Sequence, residues 1–229
     1  MSESSQPRYH VIDHWRTVAS DYPRAAEGAW SITSRRQEAG LYRMGERGAF
    51  YYAPEPIDLT VLSEGERVWF TDEPRQMYAL AEIGLFRARG RVIVGGLGLG
   101  LIHHFLRMNP NVSTVLTVER APELRSLVWP HVQYGELLRG DFYEVLPRLS
   151  RERQWADTII TDFIFGYQTE ETWHQLEEQR RFCAEHFPAA QFLEHGYQAR
   201  MDAEAVEAAI PPSSLMPDGT MYDRVKVVR

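Results

Sequence analysis

The β-branched run Val92-Ile93-Val94 leads into Gly95-Gly96-Leu97-Gly98-Leu99-Gly100. Such a run reads as a buried parallel strand, and the glycines as its turn into a helix. Glycine suits a turn that a bulky nucleoside-bearing ligand must approach closely, because any Cβ there would collide. Gly96, Gly98 and Gly100 are spaced G-x-G-x-G; the dinucleotide fingerprint G-x-G-x-x-G would need glycine at Leu101. A second strand over Val112–Val118 ends on Glu119, about twenty residues further on, where nucleotide-binding α/β folds place an acid for the ribose hydroxyls. A carboxylate fits a diol because each oxygen accepts one O–H bond. Gly140-Asp141 follows a third apolar stretch, and that pair commonly forms a turn and a helix cap. Asp162 closes a fourth strand, Asp157–Asp162, beside the crevice where open α/β sheets bind ligands.

In this order, these stretches resemble the class I S-adenosylmethionine (AdoMet) methyltransferases and their relatives, the spermidine-synthase-type aminopropyltransferases. Gly95–Gly100 is similar to the first family motif, and Val118-Glu119-Arg120-Ala121-Pro122-Glu123 to V-E-x-x-P-E. Gly140-Asp141-Phe142 resembles the segment after the third family strand, and Asp157–Asp162 resembles [YF]-D-x-I-x-x-D. The resemblance covers residues 91 to 162 and extends more weakly from about 60 to 90 and from 163 to 200. It implies an α/β fold: a Rossmann-like AdoMet-methyltransferase sheet, mostly parallel, with helices on both faces and S-adenosyl-L-methionine as cofactor. Within it, Gly95, Gly96, Leu97, Gly98 and Gly100 would form the turn against the donor, and Glu119 would hold the ribose. Arg120 and its neighbours would shape one wall of the adenine pocket. Asp141 would accept from the adenine amine, and the Phe142 backbone N–H would reach a ring nitrogen. Asp162 would border the donor, and Tyr78 would line its methionine end.

Methyl transfer to a small-molecule or peptide nucleophile is the activity the resemblance implies. Such a displacement on an activated sulfonium asks the protein mainly to align donor and acceptor and to exclude water. Aminopropyl transfer from decarboxylated AdoMet is the alternative. That family carries an acid in its glycine turn and a second acid after the fourth strand. Here Gly95–Gly100 has none, and neither does Phe163-Ile164-Phe165-Gly166. A dicationic polyamine calls for several carboxylates. A non-catalytic AdoMet-fold partner subunit is the third reading. The catalytic candidates are Asp162, Tyr167 and His195. Asp162 would orient an amine or act as a base, and His195, ending a fifth strand, has an ordinary pKa suited to taking a proton. Tyr167, with Phe163 and Phe165, forms an aromatic run that would stack on a planar or cationic acceptor; loop packing explains that run equally well. Tyr197 is a further acceptor-side residue. His103-His104 follow the glycine turn, and one of them is expected near the donor carboxylate; no partner ligands at suitable spacing suggest a metal.

The elements that must position these residues follow from pattern. The chain of 229 residues is long enough for one α/β domain and a modest extension. A net charge of −7 argues against a broad nucleic-acid surface. Lys226 is the only lysine, which we read as a coding bias toward arginine. No apolar run of membrane-spanning length and no signal-peptide pattern is visible, so a cytoplasmic protein is expected, with a homodimer left open. Cys183, the single cysteine, excludes an internal disulfide and reads as a packing residue. We divide the chain into an amino-terminal helix and β-rich unit, residues 1–72, and an AdoMet-binding α/β domain, residues 73–229. The first nine residues read as disordered. Tyr9 to about Ala19 reads as a helix with Val11, Trp15 and Val18 on one stripe. Short β-like runs begin at Ala29, Ala49, Ile57 and Arg67, with a hairpin at Glu64-Gly65-Glu66. Thr71-Asp72-Glu73-Pro74 reads as a helix start with a capping oxygen. Beyond Asp162 we expect a helix over about 170–186, a strand over 190–195, a helix over 202–209, a loop over 211–219 and a last strand over 222–228.

Overall fold

The computed structural model describes residues 9–12, 14–43, 50–152, 154–161, 163, 170–194 and 225–228. In chain order the amino-terminal elements are β1 (Tyr9–Ile12), a 3₁₀ turn (Val18–Asp21), β2 (Ala25–Glu27), β3 (Trp30–Gln37), β4 (Gly40–Arg43), β5 (Phe50–Ala53), β6 (Ile57–Glu64) and β7 (Arg67–Thr71). Then come α1 (Pro74–Ala81), a π-helical segment (Glu82–Arg87), β8 (Gly90–Gly95), α2 (Leu101–Met108), β9 (Val112–Glu119), α3 (Pro122–Leu127), α4 (Trp129–Val132) and β10 (Glu136–Arg139). The chain continues through α5 (Phe142–Arg151), β11 (Thr158–Thr161), α6 (Glu170–His186), β12 (Gln191–Glu194) and β13 (Val225–Val228).

The main sheet is parallel throughout, in the order β10-β9-β8-β11-β12. From β8 the chain winds outward to β9 and β10, then returns to the other side for β11 and β12. That reversal is the topological switch point of a doubly wound fold, and ligands bind outside the carboxyl ends of the strands there. Both faces of the sheet are covered, as parallel sheets require. Val92 and Val94 pack into one core with Phe105 and Leu106 of α2, while Ile93 between them packs into the other with Leu146, Leu149 and Cys183. The two-residue alternation of a strand thus divides one apolar run between two helical layers. The α/β fold class implied by the sequence is the one observed.

Two smaller sheets precede and flank it. One is antiparallel, β2-β3-β6-β7; the other, β13-β1-β5-β4, mixes antiparallel and parallel pairs. The expected β-like runs and the Gly65 hairpin are present, with Gly65 at φ +57°. The helix expected over residues 9–19 is instead β1 followed by a 3₁₀ turn. Its apolar spacing fits a helix, but Tyr9–Ile12 pairs with Val225–Val228 at the far end of the sequence. Trp15 Nε1 also donates to the Asp72 carbonyl at 2.8 Å, and the Thr17 hydroxyl to the Asp72 carboxylate at 2.6 Å. Long-range pairing overrides the local period. The helix start at Pro74 holds, without the expected side-chain cap. Asp72 is spent elsewhere: fully buried, it accepts the Thr60 N–H at 2.6 Å as well as the Thr17 hydroxyl.

α6 and β12 match their expected spans closely. The last strand pairs with β1 rather than with the main sheet. The expected helix over 202–209 and loop over 211–219 lie outside the described residues. Among the described residues no helix is long and apolar enough to cross a membrane.

Candidate functional site

A cleft of about 220 Å³ opens at the carboxyl ends of β8, β9 and β10, to one side of the switch point between β8 and β11, and takes in Phe163 beyond β11. Its floor is the glycine turn. Gly98 has φ +52° and no atom within 4 Å of where a Cβ would sit, so its backbone faces open space. Gly100 needs glycine for a different reason. It begins α2 in the left-handed region at φ +71°, and a Cβ there would lie 2.2 Å from Val132. One glycine thus leaves the floor of the cleft open and the other permits close helix packing.

Glu119 ends β9 and is 5% exposed. Its Oε2 accepts the Leu97 N–H at 2.8 Å and its Oε1 the Ala121 N–H at 2.7 Å. The carboxylate therefore fastens the glycine turn to the end of β9. Two N–H bonds use about half of a carboxylate's accepting capacity, so each oxygen keeps a site for a ligand hydroxyl. The Gly96 N–H donating to the Val118 carbonyl at 2.9 Å closes the same junction.

Asp141 caps α5 through Oδ1, which accepts the Tyr143 N–H at 2.8 Å. Its Oδ2 lies 3.9 Å from the Arg120 guanidinium, an exposed pair of little energetic weight. Phe142 is buried against Phe163, their ring centroids 5.4 Å apart, and both pack over Gly95, where a Cβ would lie 2.8 Å from either ring.

Of the candidates named from sequence, Gly96, Gly98, Glu119, Arg120, Asp141 and Phe142 line this one cleft, together with Phe163. Gly95, Leu97, Gly100 and Tyr78 do not. Leu97 turns inward and contributes its N–H to Glu119. Tyr78 sits over His10, ring centroids 5.7 Å apart. Asp162, Tyr167 and His195 lie outside the described residues, as do Phe165 and Tyr197. His103 is 1% exposed and bonded through Nε2 to the Thr117 hydroxyl at 2.7 Å; burial pushes its pKa down to about 4, so it is neutral and internal. Among the described residues no group of three His, Cys, Asp or Glu side chains could hold a metal.

Sequence reasoning missed the opposite wall. Trp30, Leu62, Trp69 and Phe70 come from the antiparallel sheet and complete the cleft. Consecutive aromatics at Trp69-Phe70 in a strand were the available signal. The amino-terminal unit is also fastened to the glycine turn itself. The buried Tyr22 hydroxyl donates to the Leu99 carbonyl at 3.2 Å, with its pKa raised to about 12 by burial, and its ring stacks on His131 at 4.6 Å.

No family model matches the chain, and no curated protein does. Several solved structures are similar in fold. A spermidine synthase from Thermotoga maritima is 15% identical over 58% of this chain and 49% of that one, with a TM-score of 0.40. A candidate SAM-dependent methyltransferase from Streptococcus mutans is 16% identical over 61% of this chain and 44% of that one, also at 0.40. Another candidate methyltransferase, crystallised with SAH, is 16% identical over 47% of this chain and 29% of that one, at 0.35. The chain thus spans less than half the length of these structures.

Proposed function

We propose that the chain binds S-adenosyl-L-methionine across the carboxyl ends of β8, β9 and β10 and transfers its methyl group to a nucleophile. The observation that carries this reading is that Glu119, ending β9, and Asp141, two residues beyond the neighbouring β10, line one cleft with the open backbone of Gly98. Glu119 would accept the ribose hydroxyls with the capacity its two backbone bonds leave. The Asp141 Oδ2, not used in capping, would accept the adenine amine. Arg120 sits at the edge of the same space and would flank the base. The volume of about 220 Å³ is below the roughly 300–1,000 Å³ of sites that enclose a drug-sized ligand whole, which suits the nucleoside end of the donor.

When bound, the donor supplies an already activated sulfonium methyl group, so the chain's own work is alignment and exclusion of water. Phe142, Tyr143 and Phe163 form a contiguous aromatic wall at the cleft, which suits that exclusion. Asp162, Tyr167 and His195 stand as proposals for the acceptor side, with Asp162 or His195 taking a proton where the acceptor carries one. Incubating cell extract with purified protein and methyl-labelled AdoMet, then following label by mass spectrometry, tests the reaction. Label in a discrete acceptor, dependent on the protein, is expected. Unlabelled extract in the presence of intact, folded protein contradicts methyl transfer.

A further inference from the structure

Strands β6 and β7 pair antiparallel, with Leu62 opposite Phe70 and Ser63 opposite Val68. Trp69 falls between these pairs, an extra residue on one strand: a β-bulge. In a regular strand Trp69 and Phe70 would point to opposite faces. Here both line the cleft. A bulge re-aims a side chain at some cost in pairing, and bulges concentrate beside functional sites for that reason. The re-aimed indole is also fixed in place. Its Nε1 donates to the Glu64 carboxylate at 3.0 Å, and the Arg67 guanidinium lies 4.2 Å from its ring centroid. Trp30 of β3 lies alongside it, ring centroids 5.8 Å apart. The sheet is held against the nucleotide half at the same edge, with Gly28 packed so closely on Glu123 of α3 that a Cβ would lie 2.9 Å from its carboxylate.

From this we infer that Trp30 and the bulged Trp69 form an aromatic wall that packs on the purine ring of the bound nucleoside, a binding element supplied by the amino-terminal sheet. The inference rests on the AdoMet reading and deepens it by naming what recognises the base. The occupant is the purine rather than an aromatic acceptor for two reasons. The wall closes the same small cleft that Glu119 and Asp141 border, and that volume suits one nucleoside. Base–aromatic contact tolerates any purine, so Asp141 would add the discrimination for an exocyclic amine.

Titration of the full chain with S-adenosylhomocysteine, read by tryptophan fluorescence and by calorimetry, tests this. Wild type should show saturable quenching, and Trp30→Ala and Trp69→Ala should each weaken binding by about tenfold. Trp69→Phe keeps a ring without the bond to Glu64 and should fall between; it also stands in if Trp69→Ala fails to fold. Folding is checked by circular dichroism. If wild type binds and the folded tryptophan variants bind equally well, the wall is overturned and the AdoMet reading stands. If affinity for S-adenosylhomocysteine is kept while the variants no longer pass label from methyl-labelled AdoMet into cell extract, the wall belongs to the acceptor and the inference is wrong. If wild type binds no adenine nucleoside, both fall together.

Discussion

Glu119 and Asp141 each do structural work that a ligand-binding assignment alone would overlook. Glu119 satisfies two N–H groups, those of Leu97 and Ala121, from an almost fully buried position. Removing it leaves the buried Leu97 N–H without a partner, which costs about 1–3 kcal/mol, while the part-buried Ala121 N–H loses less. Glu119→Ala should therefore lower stability in denaturant titration without any ligand present, and weaken AdoMet binding as well; unchanged stability would mean the turn does not depend on the carboxylate. At Asp141 the capping role and the proposed adenine contact fall on different oxygens. Serine is a good helix cap but cannot offer a second carboxylate oxygen. Asp141→Ser should keep the stability that Asp141→Ala loses, about 1 kcal/mol, while both lose affinity for the adenine nucleoside. Equal affinity in Asp141→Ser and wild type would limit Asp141 to capping. These positions were readable from sequence because strand, turn and acid lie close together along the chain. Their backbone bonds were not, since a carboxylate's partners depend on how the turn closes.

The junction between the small sheets and α1 depends on Asp72, which sequence suggested as part of a helix start. Instead it ties β6, through the Thr60 N–H, to the segment before the 3₁₀ turn, through the Thr17 hydroxyl. Burial raises its pKa above the ordinary 3.8, more than the hydrogen bonds from Thr17 and Thr60 lower it. The folded state therefore holds this proton more tightly than the unfolded chain. Its contribution to stability is fully present below the ordinary value and is lost as pH rises through the raised folded value. Asp72→Asn cannot titrate, so the difference in stability between the variant and wild type should change across that window and flatten above it. Denaturant midpoints measured at a series of pH values check this; a constant difference would show that Asp72 keeps its ordinary pKa. The bulge at Trp69 and the strand β1 share the reason they escaped sequence reading. One depends on the register between β6 and β7, the other on pairing with Val225–Val228, and neither leaves a local period.

The chain assembles its cleft from two sources. The parallel sheet supplies the turn and the acids, and its helical layers were legible because Val92, Ile93 and Val94 alternate between two cores. The antiparallel sheet supplies the facing wall, tied down by Tyr22 on Leu99 and by Gly28 on Glu123. The consecutive aromatics Trp69-Phe70 mark the strand, but that Trp30 and Trp69 share a cleft with Glu119 depends on how one sheet docks on another. The central claim is that this shared cleft holds an adenosine. Calorimetric titration of the purified chain with AdoMet tests it most directly. A saturable heat of binding with one donor per chain, abolished by excess S-adenosylhomocysteine, is the predicted result. A flat titration from protein shown to be folded would contradict the account.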